Sequence, residues 1–163
     1  MAKYSLLVDI DRCIGCQSCE LACKQENNVP VGVRRVKVIQ VGPRKVAGKL
    51  TMSFVPMRCK HCAQPACLAA CPTKAITQRA DGIVVVNPGL CNGCEACIEA
   101  CPFGAPQINS ETNTAEWCTM CLHRLDQGLK PACLLVCPTQ AILLADTNRL
   151  SELKREKYAK SLV

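Results

Sequence analysis

The chain has 163 residues and a formal charge of +7 at neutral pH, and 16 of its residues are cysteine. A cysteine content near 10% is typical of disulfide scaffolds or metalloproteins, and only five aromatic residues can contribute to a large core. These numbers argue against an ordinary hydrophobic-core enzyme and leave room for one domain or two very small ones.

The N-terminal segment carries a short apolar run, Leu6 to Val8, which Asp9 and Asp11 interrupt. This run is shorter than an export signal, and no apolar stretch approaches the roughly 18 residues of a membrane helix. We therefore expect a cytoplasmic protein without direct membrane insertion, while export together with a partner stays open. In a reducing compartment, closely spaced cysteines indicate metal or redox chemistry rather than disulfides.

The first of four cysteine groups follows, with the spacing C-x2-C-x2-C-x3-C from Cys13 to Cys23. This spacing is typical of bacterial ferredoxins, in which such a run binds cubane iron-sulfur clusters. Gly15 gives the loop the backbone freedom to turn its N–H groups inward. A short helix is predicted after the third cysteine, from Glu20 to Asn27, and similar helices are predicted in the later groups.

A β-hairpin is predicted between the first and second groups, over residues 31–55. Apolar residues alternate in VGVRRVKVIQV, GPRKVAGK supplies turn chemistry, and LTMSFV completes the second strand. We interpret the hairpin either as a sheet that covers the outer clusters or as a basic docking surface for an acidic partner. Its basic segment, Arg34 to Lys49, contains no aromatic residues that could stack on bases, so we expect no nucleic-acid binding.

The second and third groups lie close together and flank a short apolar run, Ile83 to Val86. The second group widens the middle gap to C-x2-C-x4-C-x3-C-P. The third repeats the first spacing, with Gly93 in the turn and a proline after its last cysteine. That proline fixes φ as the chain leaves the site. These two groups would form one complete two-cluster ferredoxin unit.

The fourth group, C-x2-C-x11-C-x3-C-P, accounts for the last of the cysteines. Residues 131–142 (PACLLVCPTQAI) match residues 65–76 (PACLAACPTKAI) at nine of twelve positions. We therefore interpret the second and fourth groups as copies of one unit. The charged segment 147–163 is predicted to form a C-terminal tail helix, placed at residues 149–161.

Cysteine supplies every ligand that four 4Fe-4S clusters need, so iron is assigned to the sixteen cysteines alone. The alternative is four all-cysteine zinc sites, which pair two C-x2-4-C knuckles without a third nearby cysteine or a C-P exit. His61 and His123 lie inside groups without a vacant ligand position, and we expect them beside the ligands or in solvent. Trp117 is expected to pack over a cluster edge. Four cations beside the ligands would raise the local potential: Arg58, Lys60, Lys74 and Arg124.

Two pairings of the groups stay open, because in two-cluster ferredoxins the fourth cysteine of a group binds the partner cluster. In the nested order, residues 57–106 form an inner unit from groups two and three, and residues 1–56 and 107–146 form an outer unit from groups one and four. In the tandem order, group one pairs with two and group three with four. The nested ligand sets are Cys13, Cys16, Cys19 and Cys137 for the first cluster, Cys118, Cys121, Cys133 and Cys23 for the second, Cys59, Cys62, Cys67 and Cys101 for the third, and Cys91, Cys94, Cys97 and Cys71 for the fourth.

The order of the groups, the widened second group, the C-x11-C insertion and the C-P-T-x-A-I exits resemble one family. It is the four-cluster ferredoxin subunit of the dimethyl sulfoxide reductase type, which accompanies molybdenum or tungsten pterin enzymes. The resemblance covers residues 4 to about 145 and implies the nested order. It implies an α+β fold of two nested bacterial-ferredoxin-like units with four 4Fe-4S clusters and an extra β-hairpin. The chain departs from many relatives in having no membrane helix after this region, and Lys24 follows Cys23 in place of proline.

The resemblance also implies a function. The chain would be a non-catalytic subunit that relays single electrons between a molybdenum or tungsten pterin catalytic subunit and an external electron donor or acceptor, in anaerobic metabolism. It contains no nucleophile elbow, phosphate-binding loop or zinc-protease motif, and no catalytic residue is assigned. The alternatives are a free-standing soluble polyferredoxin shuttle and a subunit of a tungsten aldehyde oxidoreductase complex. Homo- or hetero-oligomeric assembly stays open.

Overall fold

The computed structural model describes residues 4–145, 147–160 and 162, within which the chain forms eight short strands and six helices. The strands are β1 (Ser5–Val8), β2 (Val36–Val46), β3 (Lys49–Arg58), β4 (Ile76–Gln78), β5 (Val84–Val86), β6 (Gln107–Asn109), β7 (Thr114–Glu116) and β8 (Ile142–Ala145). The helices are α1 (Ser18–Glu26), α2 (Ala66–Ala69), α3 (Ala96–Ala100), α4 (Leu122–Leu125), α5 (Ala132–Leu135) and α6 (Thr147–Lys160). This mixture confirms the α+β prediction.

The strands of the described residues pair as four separate antiparallel ribbons: β1 with β8, β2 with β3, β4 with β5, and β6 with β7. Three of these ribbons join neighbours in the chain. The fourth joins β1, which precedes the first cysteine group, to β8, which follows the last one, with Leu6 opposite Leu144. The two ends of the cysteine-rich region therefore lie side by side.

The hairpin β2–β3 is present, but it starts and ends later than the predicted residues 31–55. Its strands begin at Val36 and end at Arg58. Residues 31–35 are not extended, because Gly32 turns the chain at φ +95° and the two arginines that follow bind carboxylates outside the hairpin. The base of the hairpin is buried at Val36, Pro56 and Arg58, whereas the residues from 40 to 50 are exposed.

A helix holds the third cysteine of every group. α1, α2, α3 and α5 each begin one residue before that cysteine, and α1 spans Ser18–Glu26 where Glu20 to Asn27 is predicted. The earlier start has a local cause in each type of group. Gln17 and Glu95 cap the helices of groups one and three in the left-handed conformation, at φ 60° and 63°. Proline caps those of groups two and four, where its fixed φ suits a helix start.

The hydrophobic core consists of two clusters that contain cysteines themselves. One cluster joins Leu6 and Ile142 of the β1–β8 ribbon to Val36, Ile83 and Cys118. The other is centred on Val84, Ala115 and Trp117 and includes Cys97. Helix α1 contacts α5, and α2 contacts α3, so the helices of groups one and four lie together, as do those of groups two and three.

Two further helices hold no cysteine group's third member. α4 occupies the C-x11-C insertion, for which the sequence predicts no element. α6 agrees with the predicted tail helix, although residues 161 and 163 of that segment fall outside the described residues. No helix in the described part of the chain is long and apolar enough to cross a membrane.

Candidate metal centres

The sixteen cysteines line four cavities, four cysteines to each. Cavity one is lined by Cys13, Cys16, Cys19 and Cys137. Cavity two is lined by Cys23, Cys118, Cys121 and Cys133. Cavity three is lined by Cys59, Cys62, Cys67 and Cys101, and cavity four by Cys71, Cys91, Cys94 and Cys97. The structure thus brings together the four sets of the nested order.

The helices distribute the cysteines between neighbouring cavities. Cys19 and Cys23 lie four residues apart on α1, and residues at this spacing share one helix face. Cys19 nevertheless lines cavity one and Cys23 lines cavity two. The same division separates the third and fourth cysteines of each of the other groups. Each of these helices therefore stands between two cavities.

Glycine allows the tight loops of groups one and three. Gly15 and Gly93 both have φ +71°, where side chains are strained, which confirms the predicted need for backbone freedom. Space is limited as well. A Cβ on Gly15 would lie 2.5 Å from the ring of Phe54, and one on Gly93 would lie 2.6 Å from the backbone oxygen of Asn113.

Backbone N–H groups point at one sulfur of every cavity. The donors are Ala141 to Cys137 (3.2 Å), Met120 to Cys118 (3.4 Å), His61 to Cys59 (3.4 Å) and Ala115 to Cys91 (3.3 Å). Such donors stabilise negative charge on a thiolate or on a cluster sulfur. The cavities are therefore prepared for anionic groups.

Burial keeps most of the inner thiols neutral in the absence of a metal. It raises the pKa of Cys23, Cys59 and Cys133 to about 12, and that of Cys19 and Cys97 to about 11. A bound metal reverses this balance because it displaces the protons and takes thiolate ligands. The metal-binding free energy is thus also folding free energy for these loops.

Cys71 and Cys137, at matching positions of the internal repeat, behave differently. Burial acts to raise the pKa of each thiol, but hydrogen bonds outweigh it and lower the pKa. Thr73 lies 3.6 Å from the sulfur of Cys71, and Thr139 lies 3.8 Å from that of Cys137. The C-P-T exit therefore places a hydroxyl beside the fourth cysteine of both copies.

The fit of these cavities to iron-sulfur clusters can be tested on an unsatisfied buried group. The Nε and Nη1 atoms of Arg58, which lines cavity two, are buried without a hydrogen-bond partner. A buried guanidinium requires an anionic partner, and four thiolates around a cluster would supply one. Within the described residues, no three Cys, His, Asp or Glu side chains are arranged to hold a single metal ion. The cavities and their charge thus fit a larger anionic group.

The other residues that the sequence singled out lie around the cavities. His61 is buried, its Nδ1 accepts a hydrogen bond from Val84 N (3.0 Å), and burial lowers its pKa to about 4. His123 is half-exposed and contacts Glu26 at 2.8 Å. Trp117 lines cavity three and donates to the carbonyl of Val84 (2.9 Å), which confirms the packing role. Of the cations beside the ligands, Lys60 and Lys74 are exposed, and Arg124 also binds Glu26, at 3.0 Å.

Sequence reasoning missed Asn27, which contacts the sulfurs of two cysteines. The amide Nδ2 of Asn27 lies 3.8 Å from the sulfur of Cys23 and 3.7 Å from that of Cys121, both in cavity two. Its spacing of four residues from Cys23 along α1 is the signal that could have found it, because that spacing places both side chains on one helix face.

Two family models and several known proteins match this chain. A family model described as a 4Fe-4S dicluster domain matches residues 50–147, and a second of the same description matches residues 12–75. The chain is 46% identical to a subunit of the tetrathionate reductase of Salmonella typhimurium over 88% of its length, and it spans 58% of that relative. It is 42% identical to a component of the polysulfide reductase of Wolinella succinogenes, covering 90% of the chain and 78% of the relative. It is 41% identical to the thiosulfate reductase electron transfer subunit of Salmonella typhi, covering 94% and 80%.

Proposed function

Since the chain belongs to the 4Fe-4S dicluster family of iron-sulfur subunits of oxidoreductases, we propose that it relays single electrons to or from a molybdenum or tungsten pterin catalytic subunit. Its two dicluster domains imply four 4Fe-4S clusters, which supply one-electron carriers when bound. The observation that carries the proposal is the division of all sixteen cysteines among four cavities. We assign the chain no catalytic residue, because its cysteines are all committed to ligation.

We propose the nested ligand sets, in which each set of four lining cysteines holds one cluster. The division into an outer unit (residues 1–56 and 107–146) and an inner unit (residues 57–106) is part of the same proposal. The pairing of β1 with β8 and the contact of α1 with α5 support the outer unit. The contact of α2 with α3 supports the inner one.

We propose that the cavities follow one another in a row, which suits a relay. α1 and α5 connect cavity one to cavity two, and α2 and α3 connect cavity three to cavity four. The middle connection is supported by Cys59 of cavity three, which packs against the core cluster that contains Cys118 of cavity two. The order is therefore one, two, three, four, and electrons that arrive at either end would pass the middle pair.

Replacing one cysteine of each repeat copy distinguishes the nested from the tandem order. Under the nested order, Cys137→Ala damages the cluster held by Cys13, Cys16 and Cys19, and the matched variant Cys71→Ala damages the one held by Cys91, Cys94 and Cys97. Under the tandem order, the two effects are exchanged. EPR of each reduced variant, together with limited proteolysis of residues 1–28, reports which loop has loosened.

Anaerobic iron and sulfide analysis tests the cofactor, and purification of the untagged protein from its host tests the partner. We expect about four irons per cavity and co-elution with a larger catalytic subunit. Zinc in place of iron would contradict the cofactor assignment. Elution of the chain alone at 17.6 kDa would contradict the subunit assignment and favour a soluble shuttle.

The location of the protein is also a proposal. None of the sixteen cysteines, which all lie within the described residues, forms a disulfide, and closely spaced cysteines without disulfides are typical of reducing compartments. We therefore propose that the clusters are assembled in the cytoplasm. Fractionation of the host cells with antibody detection tests this location.

A further inference from the structure

Arg58 is a buried cation that lacks a carboxylate partner among the described residues. Arg58 is the last residue of β3, and its side chain lies inside the molecule. Only 5% of the residue is exposed. Nη2 donates to the carbonyl oxygen of Leu6 on β1, while Nε and Nη1 have no acceptor. Burying a charged group without an anion is strongly unfavourable, so an unpaired Arg58 would destabilise the fold. A compensating negative group must therefore lie within reach.

Cavity two supplies the place for that group. Arg58 lines this cavity together with Cys23, Cys118, Cys121 and Cys133. Burial lowers the pKa of Arg58, whereas nearby sulfurs act to raise it: Cys118 and Cys133 of cavity two most, then Cys19 of cavity one and Cys59 of cavity three. Arg58 also directly precedes Cys59, a lining residue of cavity three. The guanidinium thus lies where the two units meet.

The other cation of cavity two is neutralised. Arg35 lines the same cavity, but its Nε and Nη2 bind one carboxylate oxygen of Glu116 at 3.1 and 2.6 Å. The amide of Asn27 adds N–H groups close to two of the four sulfurs, without a net charge. Arg58 is therefore the source of uncompensated positive charge at this cavity.

The remaining cavities differ in their charge. The residues that line cavity one include no charged side chain. Lys60 at cavity three is exposed, so water screens its charge. Cavity four is lined by Glu95, which is negative. Positive charge in a buried, low-dielectric place therefore acts on cavity two more than on any of the other three.

We infer that Arg58 is a positioning residue that raises the reduction potential of the cluster in cavity two above those of the other three. This inference deepens the proposed relay and rests on it. Reduction adds one electron to the cluster core and no proton, so the added negative charge is stabilised by the fixed guanidinium and its free N–H donors. An electron from either end of the row would then settle first in the second cavity.

The test is an anaerobic redox titration of the four-cluster holoprotein with dithionite as reductant, followed by EPR. A Cys121→Ser variant identifies the signal from cavity two. Arg58→Gln is expected to shift the reduction equilibrium of that signal at least tenfold toward the oxidised form, which lowers its potential by about 59 mV for one electron. Arg58→Lys keeps the charge and should retain most of the potential. Lys60→Gln, on the opposite side of Cys59, is the matched control and should leave the signal of cavity two unchanged.

Several results would overturn the inference. An unchanged potential in Arg58→Gln would do so, as would equal shifts in Arg58→Gln and Lys60→Gln or a shift confined to another cavity. If Arg58→Gln does not hold four clusters, an Arg35→Lys variant labelled with ¹⁵N-arginine decides the matter, because Arg35 also lines cavity two and would otherwise add its own nitrogen signal. Pulsed EPR should detect arginine nitrogen coupled to the reduced signal of cavity two, and its absence would contradict the inference. A wild-type protein with fewer than four clusters would instead contradict the proposed function.

Discussion

Gly15 and Gly93 hold matching places in the first and third cysteine groups, but what surrounds them differs. Beside Gly15 lies the side-chain ring of Phe54, which can move, and beside Gly93 lies the backbone oxygen of Asn113, which is fixed in the β6–β7 ribbon turn. A third glycine, Gly128, has nearly the same backbone angle, φ +73°, with no atom within 4 Å of the place where a Cβ would lie. A comparison of substitutions at these three positions therefore distinguishes backbone strain from steric overlap.

Alanine should therefore cost least at Gly128, more at Gly15 and most at Gly93. Gly128→Ala carries only the left-handed strain of about 1–2 kcal/mol. Gly93→Ala adds an overlap with backbone and should lose the cluster of cavity four, leaving about twelve of sixteen irons per chain. Iron analysis of the purified variants measures the order. Equal iron contents in all three would show that the overlap is relieved without moving the loop.

Glu20 is a buried carboxylate that ties α1 to the hairpin. It is 7% exposed, accepts a hydrogen bond from Val38 N at 2.6 Å, and pairs with Arg34 at 3.1 Å. Its replacement by alanine would leave the Val38 N–H without an acceptor inside the protein. A carboxylate one residue after Cys19 thus supports the loop of cavity one from outside.

Glu20→Ala should destabilise the holoprotein by about 2 kcal/mol, because a buried donor loses its charged acceptor. For a chain of this size, that corresponds to a fall in Tm of about 4–8 °C. The loss of cluster absorbance on heating measures it. Glu20→Gln keeps an acceptor for the Val38 N–H, so its Tm should fall by less than half as much. An unchanged Tm in Glu20→Ala would contradict the stabilising role of Glu20.

At the scale of elements, the hairpin divides into two halves with different surroundings. Val38 and Pro56 of its base line cavity one, and Val36 lines cavity two. The distal half is exposed and carries Arg44, Lys45 and Lys49. The base therefore covers the outer cavities, while docking of an acidic partner to the distal half stays a prediction.

Shortening the hairpin tests this division. Val41 and Ser53 are opposite each other, so residues 42–52 can be replaced by an Asn-Gly turn. The shortened protein should keep its iron and its Tm within about 2 °C, since the removed residues are almost all exposed. Less of the catalytic partner should co-purify with the shortened protein than with the full-length chain. Val36→Ala in the base is the control and should cost about 2 kcal/mol, through lost burial and a cavity.

The elements also show what the sequence could predict and what it could not. Cysteine spacing predicted the four groups, because ligand geometry restricts where sulfurs can lie along the chain. The start of α1 was misplaced by about two residues, since the left-handed cap at Gln17 depends on how the loop closes. The contact of Arg58 with cavity two arises from tertiary packing, and no local pattern encodes it, whereas the spacing of Asn27 from Cys23 is a local signal. α4 was missed because four residues carry too little periodicity.

At the scale of the whole molecule, cluster binding changes the sign of the net charge. The chain alone carries +7, and its sequence pI is about 8.7. Four thiolates around a core of about +2 give each site about −2, so four sites bring the total to about −1. The positive charge of the basic residues thus largely balances the negative charge of the four cluster sites.

The holoprotein should accordingly focus below pH 7, well under the pI of about 8.7 of the metal-free chain. Anaerobic isoelectric focusing of the two forms measures the difference, and dithionite reduction should move the holoprotein further toward acid. A holoprotein that focuses near the position of the metal-free chain would indicate fewer than four anionic sites.

The side-by-side position of β1 and β8 also determines the order in which the cavities can be completed during synthesis of the chain. All cysteines that line cavities three and four lie between Cys59 and Cys101, but cavities one and two are each lined by cysteines from both ends of the region. At roughly 5–20 residues per second, about 2–7 s separate the emergence of Cys101 from that of Cys137. Under the proposed nested order, cavities three and four can bind clusters during that interval, while the thiols of the first group, Cys13 to Cys23, still lack a complete site. Oxidative damage during synthesis of the chain should therefore affect the cysteines of the outer unit first.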